Sequence, residues 1–222
     1  LMSALLCALP SPVAAKEGVA THSEKFHYEV RFRGARVATI LLQTGCPASS
    51  YRPAALVAKS LGFVDELHSF HIRFDSFLDT DDVRPRQGRT RITEEGRTRR
   101  YISTFAAKDD AHHADVRAKI FDRKERAQQV ALPGPTHDML SWLLHLRRHN
   151  DWTPRASTSY HIWDGWKLST LRARTRHTQT LTTPYGTYRT YPIDLKRTVN
   201  HHSGAQKFSP KEEADDLGTL WF

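Results

Sequence analysis

The sequence predicts an all-β fold with one internal helix, and three observations carry that prediction. Apolar and polar residues alternate along most of the chain. Gly, Pro and Asp punctuate the alternation at short intervals. One stretch, "DMLSWLLHLR" from Asp138 to Arg147, breaks it with six large apolar residues at mixed spacing.

The strands follow in order. In "FHYEVRF", Phe26, Tyr28, Val30 and Phe32 share one face and His27, Glu29 and Arg31 the other, as in a half-buried strand. Gly34 interrupts it and "RVATILLQ" resumes, so Phe26–Leu42 reads as a hairpin. "AALVAKS" is a third extended piece, and "FHIRFDSFLD" puts Phe70, Ile72, Phe74 and Ser76 on one face. Asp79 to Pro85 reads as a polar turn. "RTRITEEGRTRRYISTF" is a hairpin with Glu95-Gly96 at its tip, and "ADVRAKIFDRKERAQQVAL" is a strand pair. Pro133-Gly134-Pro135 then stops the sheet.

The helix runs from about Thr136 to Arg148. Thr136 is the expected N-cap, Asp138 suits the positive end, and Arg147, Arg148 and His149 suit the negative end. About three turns are marginal alone, so this helix needs a surface to pack on. Strands resume in "TSYHIWDG", "WKLSTLRART", "TQTLTTPYGTYRTYPIDLKRT" and "GTLWF". Asp164-Gly165 and Pro184-Tyr185-Gly186 are tight turns, the second with Gly186 at positive φ.

The totals restrict function without naming it. The chain has 222 residues, a formal net charge of +9 and two cysteines. Excess positive charge favours anionic partners, but the Arg and Lys residues are spread along the chain. "LMSALLCALPSPVAA" matches the apolar core and small-residue cleavage region of a secretory signal peptide, with processing expected near Ala15-Lys16. It is too short for a span of about 20 residues, and no other stretch is long and apolar enough. The expected organisation is therefore a signal remnant at 1–15 and a single domain at 16–222. Removal of Cys7 leaves Cys46 alone, which excludes a disulfide framework or a cysteine-built metal site in the mature chain.

Catalytic constellations are weak. His112-His113 and His201-His202 are adjacent pairs whose side chains point to opposite faces of a strand. There is no HExxH, GxSxG, Ser-x-x-Lys or Gly-rich phosphate loop. Asp79, Asp81 and Asp82 read as turn residues rather than an acid/base pair. "RPRQGRTRITEEGRTRR" alternates basic residues and has aromatic neighbours, but an export signal argues against nucleic acid. The same arginines suit lipopolysaccharide or acidic phospholipid.

Several stretches together resemble a known family. "FHYEVRFRGARVATILL", "SFHIRFDSFLDTDDVRP", "GPTHDMLSWLLHLR", "YHIWDGWKLSTL", "LTTPYGTYRTYPI" and the terminal "LWF" occur in the order seen in bacterial exported proteins of the DUF3108 family. The resemblance runs from about Phe26 to Phe222 and rests most on Asp138–Ser141 and Thr183–Thr187. It implies a periplasmic or secreted protein with a strongly curved antiparallel sheet, similar to the half-open barrels of lipoprotein carriers, and the helix on the concave face. In similar proteins a further strand follows "LWF", so the domain is expected to lack its last strand. The resemblance implies no reaction.

Two functions remain open. The first is a non-catalytic envelope protein that binds a lipid or other apolar ligand and needs no cofactor or metal. Phe26, Tyr28, Phe70, Phe74, Met139, Trp142 and Leu143 would line the cavity, with Arg147 and Arg148 near an anionic head group. The second is an envelope interaction protein with a packed interior and a basic surface, meeting an anionic envelope component. The interior discriminates: an apolar cavity of about 300 Å³ or more supports the carrier.

Overall fold

The computed structural model describes residues 5–6, 23–47, 50–108, 111–148, 153–183, 186–203, 207–210 and 215–221. The expected cleavage region at Val13–Ala15 lies outside them, as do His149 and Pro184-Tyr185 of the second expected turn.

The chain is mostly β. A first, nine-stranded antiparallel sheet keeps chain order. It begins with a two-residue strand, β1 (Leu5–Leu6). Eight long strands follow: β2 (Glu24–Phe32), β3 (Ala35–Thr44), β4 (Tyr51–Ser60), β5 (Phe70–Asp79), β6 (Pro85–Glu94), β7 (Arg97–Lys108), β8 (Ala111–Ile120) and β9 (Arg126–Leu132). The sheet does not close into a barrel. The predicted hairpins are present. Arg33-Gly34 and Glu95-Gly96 each adopt positive φ at both central positions, the turn whose twist matches the flanking strands.

The second sheet follows the helix. It orders β10 (Thr136–His137), β11 (Ser157–Trp163), β12 (Leu168–Thr175), β15 (Pro192–Ser203) and β16 (Lys207–Pro210), while β17 (Asp215–Trp221) pairs with the first half of β15. A separate hairpin joins β13 (Gln179–Thr183) to β14 (Gly186–Thr190). Gly186 has φ +137°, the positive φ that the sequence predicts for it and that glycine adopts without a Cβ penalty.

Two local predictions need correction. A second helix exists, α1 (Phe63–Leu67), a single turn with no buried residue, so it leaves no amphipathic signal. The main helix, α2 (Met139–Arg148), starts later than expected. Thr136 is not its cap: it lies in β10, paired in parallel with His161, and its hydroxyl donates to the Gly134 carbonyl. Asp138 is the cap instead. Its Oδ1 accepts the Ser141 N–H at 2.7 Å, while the Asp138 N–H donates to Ser141 Oγ at 2.9 Å. This reciprocal pair satisfies two backbone donors at once.

The core explains why α2 is so apolar. Leu140 and Leu144 pack on the first sheet, among Phe26, Leu42, Ala54 and Leu78. Trp142 and Leu146 pack on the second sheet, among Ile162, Leu171, Ile193 and Leu195, with Met139 and Leu143 alongside. Each pair is spaced i, i+4, so two stripes of one helix face two sheets. Beyond the helix the sheets meet directly through Val116, Val130, Leu132, Trp163 and Leu168. There the Trp163 indole donates to Ser103 Oγ at 2.9 Å. The β11–β12 turn seals this join. Gly165 has φ +102°, and a Cβ there would stand 2.9 Å from Cβ of Tyr101.

Candidate functional site

The residues around α2 fall into three settings. In the middle, Phe26, Tyr28 and Phe74 share one cluster with Leu140 and Leu144, whereas Met139, Trp142 and Leu143 belong to the other. The predicted lining is thus divided by the helix itself. Phe70 shares the inward face of β5 with Phe74, but sits at the far end of the strand, opposite Glu94. A cavity of about 10 Å³ lies beside the start of α2, bordered by Phe74, Gly88, Asp138, Met139 and Trp163. That is room for about one water.

At the N-terminal end stand an acid, two serines and a histidine. Ser76 Oγ donates to Asp138 Oδ2 at 2.5 Å, and His137 Nδ1 lies 3.2 Å from Ser141 Oγ. Gly88 gives the carboxylate room, because a Cβ there would lie 3.3 Å from Oδ2. Desolvation pushes the Asp138 carboxyl above its ordinary range, against the hydrogen bonds from Ser76 and Ser141 that pull it down. Burial, then the neighbouring His145 and Arg84, pull His137 down to about 4. The residue types are those of a catalytic triad, but the connections are not. The carboxylate bonds the serine backbone instead of the imidazole, and Ser141 is 0% exposed. The group caps a helix.

At the C-terminal end Arg147 pairs with Glu24 at 3.2 Å and lies over the Phe26 ring, 4.2 Å from its centroid. Arg148 donates to the carbonyls of Thr80 and Asp81. Arg52 on β4 joins them. It is 7% exposed, and neither Nε nor Nη2 has a hydrogen-bond partner. Burial, then the Arg148 charge, lower its guanidinium below the ordinary value. Sequence reasoning missed Arg52, although a signal was there: it is in phase with Ala54, Leu56 and Ala58, the inward positions of β4.

The outer face of the first sheet carries a row of cations. Arg73 stands opposite Arg91, Arg91 opposite Arg100, and Arg100 opposite Lys119, across β5 to β8. All four are exposed, and Arg89 and Arg117 flank the row. Asp75 engages Arg73. Arg91, Arg100 and Lys119 have no ion pair among the described residues. The acidic turn, by contrast, is structural: Asp79 accepts the Asp81 N–H and pairs with Arg86.

Other candidates carry less. Cys46 is free and exposed. No group of three metal-ligating side chains occurs among the described residues. No helix among them is long and apolar enough to cross a membrane.

A family model described as "Protein of unknown function (DUF3108)" matches residues 27–221, nearly the whole chain. No curated protein and no solved structure matches the chain.

Proposed function

The chain belongs to the DUF3108 family, and we propose that it is a non-catalytic, exported envelope protein that docks on a phosphate-bearing lipid surface. In this reading the first sheet curves as a half-open barrel, α2 fills its concave side, and the convex face meets the anionic surface. The row Arg73, Arg91, Arg100 and Lys119 carries the proposal. Like charges directly opposite in a sheet oppose folding. A counter-surface of phosphates removes that cost and gains about 1 kcal/mol per basic side chain. The protein works in the periplasm or outside the cell.

The geometry supports this better than an apolar carrier. The cavity beside α2 holds about one water, and the surplus of large apolar residues on α2 is used by its two sheets. An acyl chain lined by Phe26, Tyr28, Phe74 and Trp142 would require α2 to leave.

Co-sedimentation with lipid vesicles tests the proposal. Binding is expected to phosphatidylcholine vesicles containing phosphatidylglycerol, not to phosphatidylcholine alone, and to fall steeply with added salt. The double change Arg91→Glu, Arg100→Glu should abolish it. Equal binding to both vesicles, or full binding by the double variant, overturns the reading. Saturable uptake of a fluorescent fatty acid with a change in Trp fluorescence would favour the carrier.

A further inference from the structure

We propose that Arg52, with Arg148 beside it, is a binding site for a small oxyanion, a carboxylate or a phosphate group. The site lies beneath the C-terminal end of α2, on the opposite side of the first sheet from the basic row. It is independent of the docking proposal.

The first observation is the orphaned guanidinium. Arg52 is more than nine-tenths buried, and Nε and Nη2 have no partner. An Arg buried this far normally has an ion pair, because an uncompensated charge out of water is costly. The two empty donors form one edge of the planar guanidinium. Their N–H bonds run parallel, at the spacing that matches two oxygens of one carboxylate or phosphate. A lone acceptor would leave one of them unused.

The second observation is the company. Arg52 faces inward on β4, opposite Leu78 of β5, on the side where α2 ends. Arg148 is held there by the Thr80 and Asp81 carbonyls, close enough for its charge to bear on Arg52. Neutral carbonyls leave the Arg148 charge uncancelled. Glu24, the carboxylate that acts on Arg52, is engaged by Arg147 through contacts of 3.2 and 3.4 Å. Two cations, with Glu24 committed to Arg147 and Cys46 as the only other group opposing them among the described residues, leave a positive charge that one anion would balance.

The chemistry comes from two sources, a free anion or the head group of an apolar molecule. Isothermal titration calorimetry of the whole chain with inorganic phosphate, acetate and laurate separates them. Saturable one-to-one binding of at least one probe is expected. Arg52→Met should weaken it at least tenfold and Arg148→Met several-fold. Glu24→Gln should tighten it by removing a competing charge. Lys59→Ser, exposed on the outer face of β4 and outside the basic row, should leave it unchanged. Binding of phosphate or acetate identifies a free oxyanion. Binding of laurate alone, with a change in Trp fluorescence, identifies an anion carried on an acyl chain.

Circular dichroism verifies that each variant is folded. Arg52→Lys, which keeps the charge and loses the fork, replaces Arg52→Met if the latter does not fold, and it too should weaken binding. The inference is overturned if no probe saturates, or if binding survives loss of the Arg52 fork. Failure of vesicle docking with intact Arg52-dependent binding would sink the docking proposal alone, and the reverse result this one alone.

Discussion

The two ends of α2 treat a desolvated charge in opposite ways. At the N-terminal end, Asp138 accepts from Ser76 Oγ and the Ser141 backbone, and its own N–H is answered by Ser141 Oγ. At the C-terminal end, Arg52 keeps two donors with no acceptor. Both groups lie under the same helix and both lose water. A charge whose bonds are all made inside the chain serves the fold. A charge left open costs stability, and its retention calls for a ligand. The outer basic row follows the same logic at the surface, where opposed cations work against the sheet that carries them.

The largest expected effect comes from the anchor between the two ends. Trp142 is 3% exposed and fills the contact with the second sheet. Trp142→Ala should cost about 3–5 kcal/mol in urea unfolding. A loss below about 1 kcal/mol would mean that α2 is peripheral and that the comparison of its ends has no structural basis.

His137 sharpens the N-terminal side. Its folded-state pKa of about 4 lies below the ordinary 6.5, so the unfolded chain binds the proton more tightly. Its contribution is fully present above pH 6.5 and is lost as pH falls from 6.5 towards 4. A tenfold difference in proton affinity is worth about 1.4 kcal/mol, which limits the loss to about 3 kcal/mol. Asp138, raised by burial, titrates in the opposite sense. The measurement is therefore the difference in stability between the wild type and His137→Gln from pH 7 to pH 4. A constant difference would contradict a buried neutral imidazole.

Asp138→Ala should cost about 1–2 kcal/mol, the loss of an N-cap. Asp138→Asn should cost less, because the amide oxygen still accepts from the Ser141 N–H. Equal losses for the two would show that the charge, not the cap, is what the site uses. At the small end, Arg100→Glu replaces two like-charge contacts with opposite ones, against Arg91 and Lys119. A gain of a few tenths of a kcal/mol is expected. A loss would mean that the row stabilises the sheet and needs no partner.

Much of the fold is legible because a strand with one buried face announces itself every second residue. Phe26, Tyr28, Phe70, Phe74 and the turns at Gly34, Gly96 and Asp164-Gly165 all follow from this pattern. The helix is legible as an apolar block, but not its two-sided packing, since nothing in "MLSWLLHLRR" says which sheet each stripe meets. Its cap is misplaced in sequence because Thr136 and Asp138 are both good N-cap residues, and only the pairing of Thr136 with His161 decides between them. α1 buries nothing and leaves no pattern. Of the candidate binding residues, Arg147 and Arg148 do stand together at the helix exit, over Phe26 and the Thr80–Asp81 carbonyls. Arg52 is easily missed because a single in-phase Arg among alanines reads as a strand edge. The basic row is half visible in "RPRQGRTRITEEGRTRR". Its alignment with Arg73 and Lys119 depends on register across four strands, which no local pattern encodes.

The most direct measurement is the stability of Arg52→Met against wild type in urea, without added anions. Removal of an uncompensated buried charge, with its apolar stem replaced by one of similar length, should raise stability by about 1–2 kcal/mol. Phosphate or laurate should then stabilise the wild type and not the variant. A fall in stability of similar size would show that Arg52 is already paired within the folded chain, and would contradict the distinction between the two ends of the helix.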